Sequence, residues 1–73
     1  MKIVFSRHAK RQMKWRLITE EDVKEAICQA DSVMETTQGR KNALKFSGGT
    51  YLKVTFKEEA DIIVVITAIK KSK

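Results

Sequence analysis

The stretch Asp61–Ile69, DIIVVITAI, decides the fold of this chain. Every residue from Ile62 to Ile66 is β-branched, and Thr67 extends the run. Because such stiff side chains crowd the turns of a helix, they favour a strand that is covered on both faces, or nearly so. The stretch therefore predicts an inner strand of a single sheet, with helices over one face.

Two helices are predicted upstream of this strand, after a short edge strand at Lys2 to Phe5. Ser6 can accept a hydrogen bond from the first turn of a helix that runs from Arg7 to about Arg16. Thr19 and Asp22 form a variant of the capping box, which begins the second helix. The core-facing residues of that helix are Val23, Ala26, Ile27 and Ala30.

Three further strands are predicted between the second helix and Asp61. An outer strand covers Ser32 to Thr37, and Gly48-Gly49 marks a hairpin between the strands Ala43 to Ser47 and Tyr51 to Lys57. A turn over residues 58–61 leads into the last strand. Alternation places Leu44, Phe46, Leu52, Val54 and Phe56 beneath the helices, and Lys45, Lys53, Thr55, Lys57 and Tyr51 on an open face.

The predicted architecture is thus a single α+β domain over residues 1–73. A short N-terminal strand precedes two helices and a four-stranded antiparallel meander, and both helices pack on one face of the sheet. The outer strand and the N-terminal strand leave free edges, which allow a homodimer by strand pairing.

The composition favours an anionic partner and argues against several other functions. The net charge is +6, from 15 Lys and Arg against 9 Asp and Glu, which points to nucleic acid ahead of a membrane surface or an acidic protein. One cysteine and one histidine argue against a disulfide framework and against a metal site, and no cofactor is predicted. The absence of an apolar signal core and of a long apolar run predicts a soluble, cytoplasmic protein.

The open sheet face is the first candidate site. Lys45 and Lys53 are expected to be neighbours across the hairpin, with Arg40 and Lys41 at its far end and the ring of Tyr51 beside Lys53. Positive charge around an aromatic ring suits RNA, because phosphates are attracted and a base can stack. Solvated lysines on an open strand face are the equally weighted alternative.

The first helix carries two more candidates. Its basic stripe consists of Arg7, Lys10, Arg11 and Lys14, which share one arc and suit a phosphate backbone or an acidic partner. Ion pairing with glutamates of the second helix is the competing explanation.

The polar row of His8, Gln12 and Arg16 occupies the margin of the same helix. A core histidine with a satisfied hydrogen bond is one reading of His8. The functional reading joins His8 to the guanidinium of Arg16 for proton transfer and phosphate stabilisation in RNA cleavage.

The segment SRHAKRQMKWRLIT, residues 6–19, resembles the opening motif of a family of small domains of unknown function grouped with RelE/ParE-like and BrnT-like toxins. Further matching positions are Gly39-Arg40, a hairpin glycine at Gly48 or Gly49, and Ile66-Thr67. The chain departs from the pattern at Gln12, where the family has arginine, and at Ile69, where it has an aromatic residue.

The resemblance implies a compact α+β fold, and by superfamily analogy either a ribosome-dependent or free ribonuclease or a toxin that poisons gyrase. The RNA-directed toxin is the preferred reading, with RNA or the ribosome as target and an acidic antitoxin as protein partner. In a metal-independent endoribonuclease of this type, His8 would be the general acid or base, and Arg16 and Arg40 would stabilise the phosphate. Lys45 and Lys53 would contact the RNA backbone. The alternative function is a non-catalytic module that binds nucleic acid or an acidic protein, and a third is a structural domain with incidental charge.

Overall fold

The computed structural model describes residues 2–36 and 38–72, which form two helices on one face of a five-stranded sheet. The spatial order of the strands is β1-β5-β4-β3-β2. The α+β class and the order of the elements are confirmed, whereas Thr37, the last residue of the predicted outer strand, lies outside the described residues. The elements are β1 Lys2–Phe5, α1 Arg7–Arg16, α2 Glu20–Cys28, β2 Ser32–Glu35, β3 Lys41–Ser47, β4 Thr50–Glu59 and β5 Ile62–Ser72.

The inner position predicted for the last strand is confirmed, since β5 lies between β1 and β4. β1 pairs with β5 in parallel, from Lys2 opposite Ile62 to Phe5 opposite Val65, so the sheet is mixed rather than wholly antiparallel. The helices cover one face of β5, while Ile62 on the other face is 38% exposed. The β-branched run therefore specifies the strand and its inner place, but the helices cover only one of its faces.

A bulge in β5 allows side chains on both sides of it, those of Val65 and Ala68, to face the helices. Thr55 pairs with Thr67 and Phe56 pairs with Val65, so Ile66 is an extra residue on β5. The hydroxyl of Ser6 donates to the carbonyl of Ile66 at 3.1 Å and accepts from the first turn of α1 at 3.0 Å. This serine both caps α1 and ties its start to the sheet.

Both helices start at their predicted N-caps, Ser6 and Thr19. At the start of α2, the hydroxyl of Thr19 accepts from the amide of Asp22 at 3.0 Å, and the Asp22 carboxylate accepts from the amide of Thr19 at 3.1 Å. α1 ends at Leu17 in the left-handed conformation, where the amide of Ile18 donates to the carbonyl of Met13 at 2.9 Å. Neither helix in the described residues is long and apolar enough to cross a membrane.

The predicted faces of β3 are wrong. Gly48 and Gly49 form a two-residue loop, so the register pairs Ala43 with Val54 and Lys45 with Leu52. Cross-strand partners share a face, which places Lys45 on the helix side of the sheet. By the same register Leu44 and Phe46 lie opposite Lys53 and Tyr51, on the open face that has no helix over it.

The small side chain of Ala43 faces the helices instead, and it is fully buried where α2 packs on β3 and β4.

The predicted last turn also begins too early, because β4 runs to Glu59 and only Ala60 and Asp61 form the turn. The core lies between the two helices and this face of the sheet. Its buried residues are Ala9, Met13, Ile18, Val23, Ala26, Ala43, Val54, Phe56, Ile63, Val65 and Ala68.

Candidate nucleic-acid interface

The outer surface of α1 presents the basic stripe of Arg7, Lys10, Arg11 and Lys14 to solvent. α1 buries Ala9 and Met13 against the sheet, and all four stripe residues are exposed. Among residues 2–36 and 38–72, the ion pairs join Lys41 to Glu58 and Lys57 to Glu59, and none involves the stripe. The alternative explanation of the stripe, ion pairing with glutamates of α2, is therefore not observed.

A hollow of about 340 Å³ lies beside the stripe and is lined by His8, Arg11, Gln12, Trp15 and Arg16. His8 is exposed, so it is not a core histidine. Its Nε2 lies 3.5 Å from the Nε2 of Gln12, one turn along the helix. The predicted polar row of His8, Gln12 and Arg16 is thus brought together on one surface, and Arg11 of the stripe joins it.

Trp15 is the residue of this hollow that the candidate sets did not include. Its side chain is 85% exposed, although an indole is among the largest apolar groups a protein can bury. The signal was present in the sequence, because Trp15 falls off the core stripe of Ala9 and Met13 and lies four residues after Arg11. An aromatic residue at such a position on a basic helix is typical of a binding surface.

The chemistry available in the hollow is positive charge beside an aromatic face. Guanidinium groups donate several hydrogen bonds in a planar arrangement that matches phosphate oxygens. An exposed indole can stack on an unpaired base. None of the described residues that line the hollow is acidic, so an anionic ligand meets no charge repulsion from them.

Arg40 does not lie with the other two predicted catalytic residues. It is exposed in the turn between β2 and β3, whereas α1, which carries His8 and Arg16, packs on β5. β4 separates β5 from β3, so Arg40 lies toward the opposite edge of the sheet. His8 and Arg16 can act on one ligand, and Arg40 belongs to a different part of the surface.

Lys41, a predicted RNA contact, already has a carboxylate partner. Its Nζ donates to Oε1 of Glu58 at 2.7 Å. That hydrogen bond, with the charge of the same carboxylate, raises the pKa of Lys41 above the ordinary 10.5. The lysine therefore stays charged, but its ammonium is directed at a neighbouring strand of the protein.

The two hairpin lysines lie on opposite faces of the sheet rather than side by side. Lys53 is on the open face with Tyr51, as predicted, where it lies between Ile69 and Leu44 on the neighbouring strands. Lys45 is on the helix side, in one row with Leu52 and Lys70. There it lines a second hollow, of about 190 Å³, with Asp22 and Glu25 of α2. Of these two lysines, which are both predicted on the open face, only Lys53 lies there.

The thiol of Cys28 is exposed at the end of α2. In the described part of the chain, no group of three or more His, Cys, Asp or Glu side chains is arranged to hold a metal ion.

The fold and the surface of α1 define a small α+β domain with a basic, aromatic-bearing helix. The chain belongs to the family DUF4258, a domain of unknown function, whose family model matches residues 5–70. This span includes both helices, the hollow on α1 and most of the sheet. No curated protein and no solved structure matches the chain.

Proposed function

We propose that the protein binds single-stranded RNA through the outer surface of α1. The observation that carries this proposal is Trp15, whose exposed indole lies in one hollow with Arg11, Arg16 and His8. Stacking of a base on an aromatic side chain contributes about 1–3 kcal/mol, and the basic stripe supplies phosphate contacts alongside.

Two considerations favour single-stranded RNA over other anions. Stacking needs a base that is not already paired, and sequence-independent contacts to single strands combine a cationic groove with aromatic rings. An acidic protein would be attracted by the stripe, but the carboxylates that recognise the stripe would not stack on the indole of Trp15. Residues 6–19 resemble the opening motif of a family of small domains grouped with RelE/ParE-like and BrnT-like toxins, and that grouping supports RNA, and with it a role as the toxin of a toxin–antitoxin pair.

The first prediction uses Trp15 as its own reporter, because it is the single tryptophan of the chain. Titration with an unlabelled single-stranded RNA should quench its fluorescence saturably. In a parallel titration of labelled RNA followed by anisotropy, Trp15→Ala should weaken binding about tenfold or more, since the stacking contribution is lost. Tyr51→Ala is the matched control, because it removes an aromatic ring from the open face.

Unchanged tryptophan emission at saturating RNA would contradict this proposal, as would equal affinities of Trp15→Ala and the unmodified protein. Equal losses for Trp15→Ala and Tyr51→Ala would also contradict it, because the effect would then not be specific to α1.

Metal-independent RNA cleavage at the same surface is a second candidate. The observation that favours it is that His8 and Arg16 both line the hollow that holds Trp15. The imidazole of His8 would take the proton of a ribose 2′-hydroxyl, whose oxygen attacks the adjacent phosphorus, while Arg16 stabilises the phosphorane. The bond to the 5′ oxygen then breaks, which leaves a 2′,3′-cyclic phosphate and a 5′-hydroxyl protonated by water.

The second prediction tests this reaction with purified protein, RNA and excess EDTA. Cleavage should persist in the chelator, and His8→Ala should slow it about 100-fold or more, because a general base is removed. Arg16→Ala should also slow it, whereas Arg40→Ala, the same change outside the hollow, should not. Saturable binding without any cleavage would reject the catalytic candidate and leave the binding proposal in place.

A further inference from the structure

The open face of the sheet carries apolar side chains that no helix or strand of the described residues covers. Both helices pack on the other face, where the buried core lies. On the open face, Met34 is 56% exposed and Phe46 is 40% exposed. The apolar residues of this face are Val4, Met34, Leu44, Phe46, Tyr51, Ile62, Val64 and Ile69.

These residues form two patches, because the registers of the strands bring them together. One patch lies at the β1 edge of the sheet, where Val4 is beside Val64 of β5. Toward the hairpin, the rings of Phe46 and Tyr51 pack with centroids 5.7 Å apart. A hollow of about 240 Å³ lies there, lined by those two rings with Met34, Leu44, Asn42 and Lys53. A hollow of this size can accept one or two apolar side chains of a partner.

The charges of the open face are almost all positive. Glu59 lies on it, but its carboxylate is 2.8 Å from Nζ of Lys57 and is already paired. Lys53, between Ile69 and Leu44, has no ion pair among residues 2–36 and 38–72. Lys2 and Lys71 add two cations at opposite ends of the face.

This charge pattern discriminates between the partners that an apolar face can accept. A second copy packed face to face would bring two faces of net positive charge together, and like charges across an interface oppose association. RNA would gain little from Val4, Val64 and Ile69, since aliphatic side chains do not present a planar surface for stacking. A protein segment with apolar residues and carboxylates matches both the patches and the charge.

We propose that the open face is a docking surface for an acidic amphipathic segment of another protein. Apolar side chains of that segment fill the hollow beside Phe46 and Tyr51 and cover Val64 and Ile69, while its carboxylates pair with Lys53. This surface is separate from α1, which packs on the opposite side of the sheet. Docking here and RNA binding at α1 are therefore independent.

The test uses two synthetic amphipathic peptides of equal length and with the same leucine stripe, one with glutamate and one with lysine on its polar face. The methyl resonances of Leu44, Val64 and Ile69 report on the open face by NMR. The glutamate peptide should shift these resonances saturably and bind about tenfold or more tightly than the lysine peptide. Lys53→Glu should remove that preference.

The matched control is Lys14→Glu, which makes the same charge change on α1 and should leave peptide binding unaltered. The same variant should weaken RNA binding, whereas Lys53→Glu should not, so the two proposals fail or succeed separately. The docking proposal is overturned if both peptides bind equally or if neither shifts the three methyl groups. It is also overturned if those resonances move with protein concentration alone, because a second copy would then be the partner.

Discussion

At the scale of single residues, Leu17 occupies a backbone conformation that lowers the stability of the folded state. Its φ of 55° places a leucine in the left-handed region, and its side chain is 86% exposed. The left-handed conformation costs roughly 1–2 kcal/mol for a residue with a Cβ, and glycine is the usual residue at such a helix end. The reversal is needed because Ile18, directly after it, enters the core.

The third prediction follows from this strain. Leu17→Gly should raise the free energy of unfolding by about 0.5–1 kcal/mol, because the strain is removed and little packing is lost. Urea denaturation followed by circular dichroism measures the change. Leu17→Ala is the control, since it also shortens the exposed side chain but retains the Cβ, and it should change stability little. Destabilisation by Leu17→Gly would show that the exposed leucine contributes more than its conformation costs.

At the scale of elements, the β3–β4 hairpin shows which rule takes priority when two local rules disagree. Hydrophobic alternation predicts that Leu44 and Phe46 face the core. The two-residue loop at Gly48-Gly49 instead sets a register in which Ala43 faces the core. A short loop sets the register of the whole hairpin, and a shift by one residue exchanges the faces. The loop rule, applied to residues 47–50, predicts the observed faces of β3 without any structure.

The fourth prediction tests that register by stability. Ala43→Leu should destabilise the protein by about 1–3 kcal/mol, because this position is fully buried in the core, on a strand that α2 packs against. Leu44→Ala should cost about 1 kcal/mol or less, since this side chain lies half-buried on the open face. Thermal or urea unfolding of both variants gives the ranking. The reverse ranking would support the faces predicted from hydrophobic alternation.

At the scale of the whole molecule, the sheet separates two surfaces of different character. α1 on one side carries exposed cations around an exposed indole, and the other side carries apolar patches around Lys53. The positive charges behind the net charge of +6 are therefore distributed over two distinct surfaces rather than one basic face. Each surface has its own expected dependence on salt.

The fifth prediction concerns RNA binding as a function of salt. For single strands, the slope of log K against log salt concentration is about −0.7 for each phosphate contact. Arg11→Ala combined with Lys14→Ala should reduce the magnitude of the slope by about 1.4, because two contacts are removed. Lys53→Ala, on the opposite side of the sheet, should leave the slope unchanged. Equal reductions in both variants would mean that RNA does not discriminate between the two surfaces.

The sequence by itself determined the features that depend on near neighbours in the chain. The caps at Ser6 and Thr19, the inner strand from Ile62 and the hairpin at Gly48-Gly49 each follow from side-chain stiffness or from hydrogen bonds within a few residues. The basic stripe and the polar row on α1 likewise follow from the helical period alone.

The tertiary structure alone decided the features that depend on distant segments. The parallel pairing of β1 with β5, the bulge at Ile66 and the separation of Arg40 from His8 arise from how strands far apart in sequence pair. The periodicity of a strand predicts two faces but not which of them a helix will cover, because coverage is a property of the partner element. For that reason the apolar residues of β1 and β5 that stay exposed on the open face, such as Val4 and Ile62, became visible only in the folded molecule.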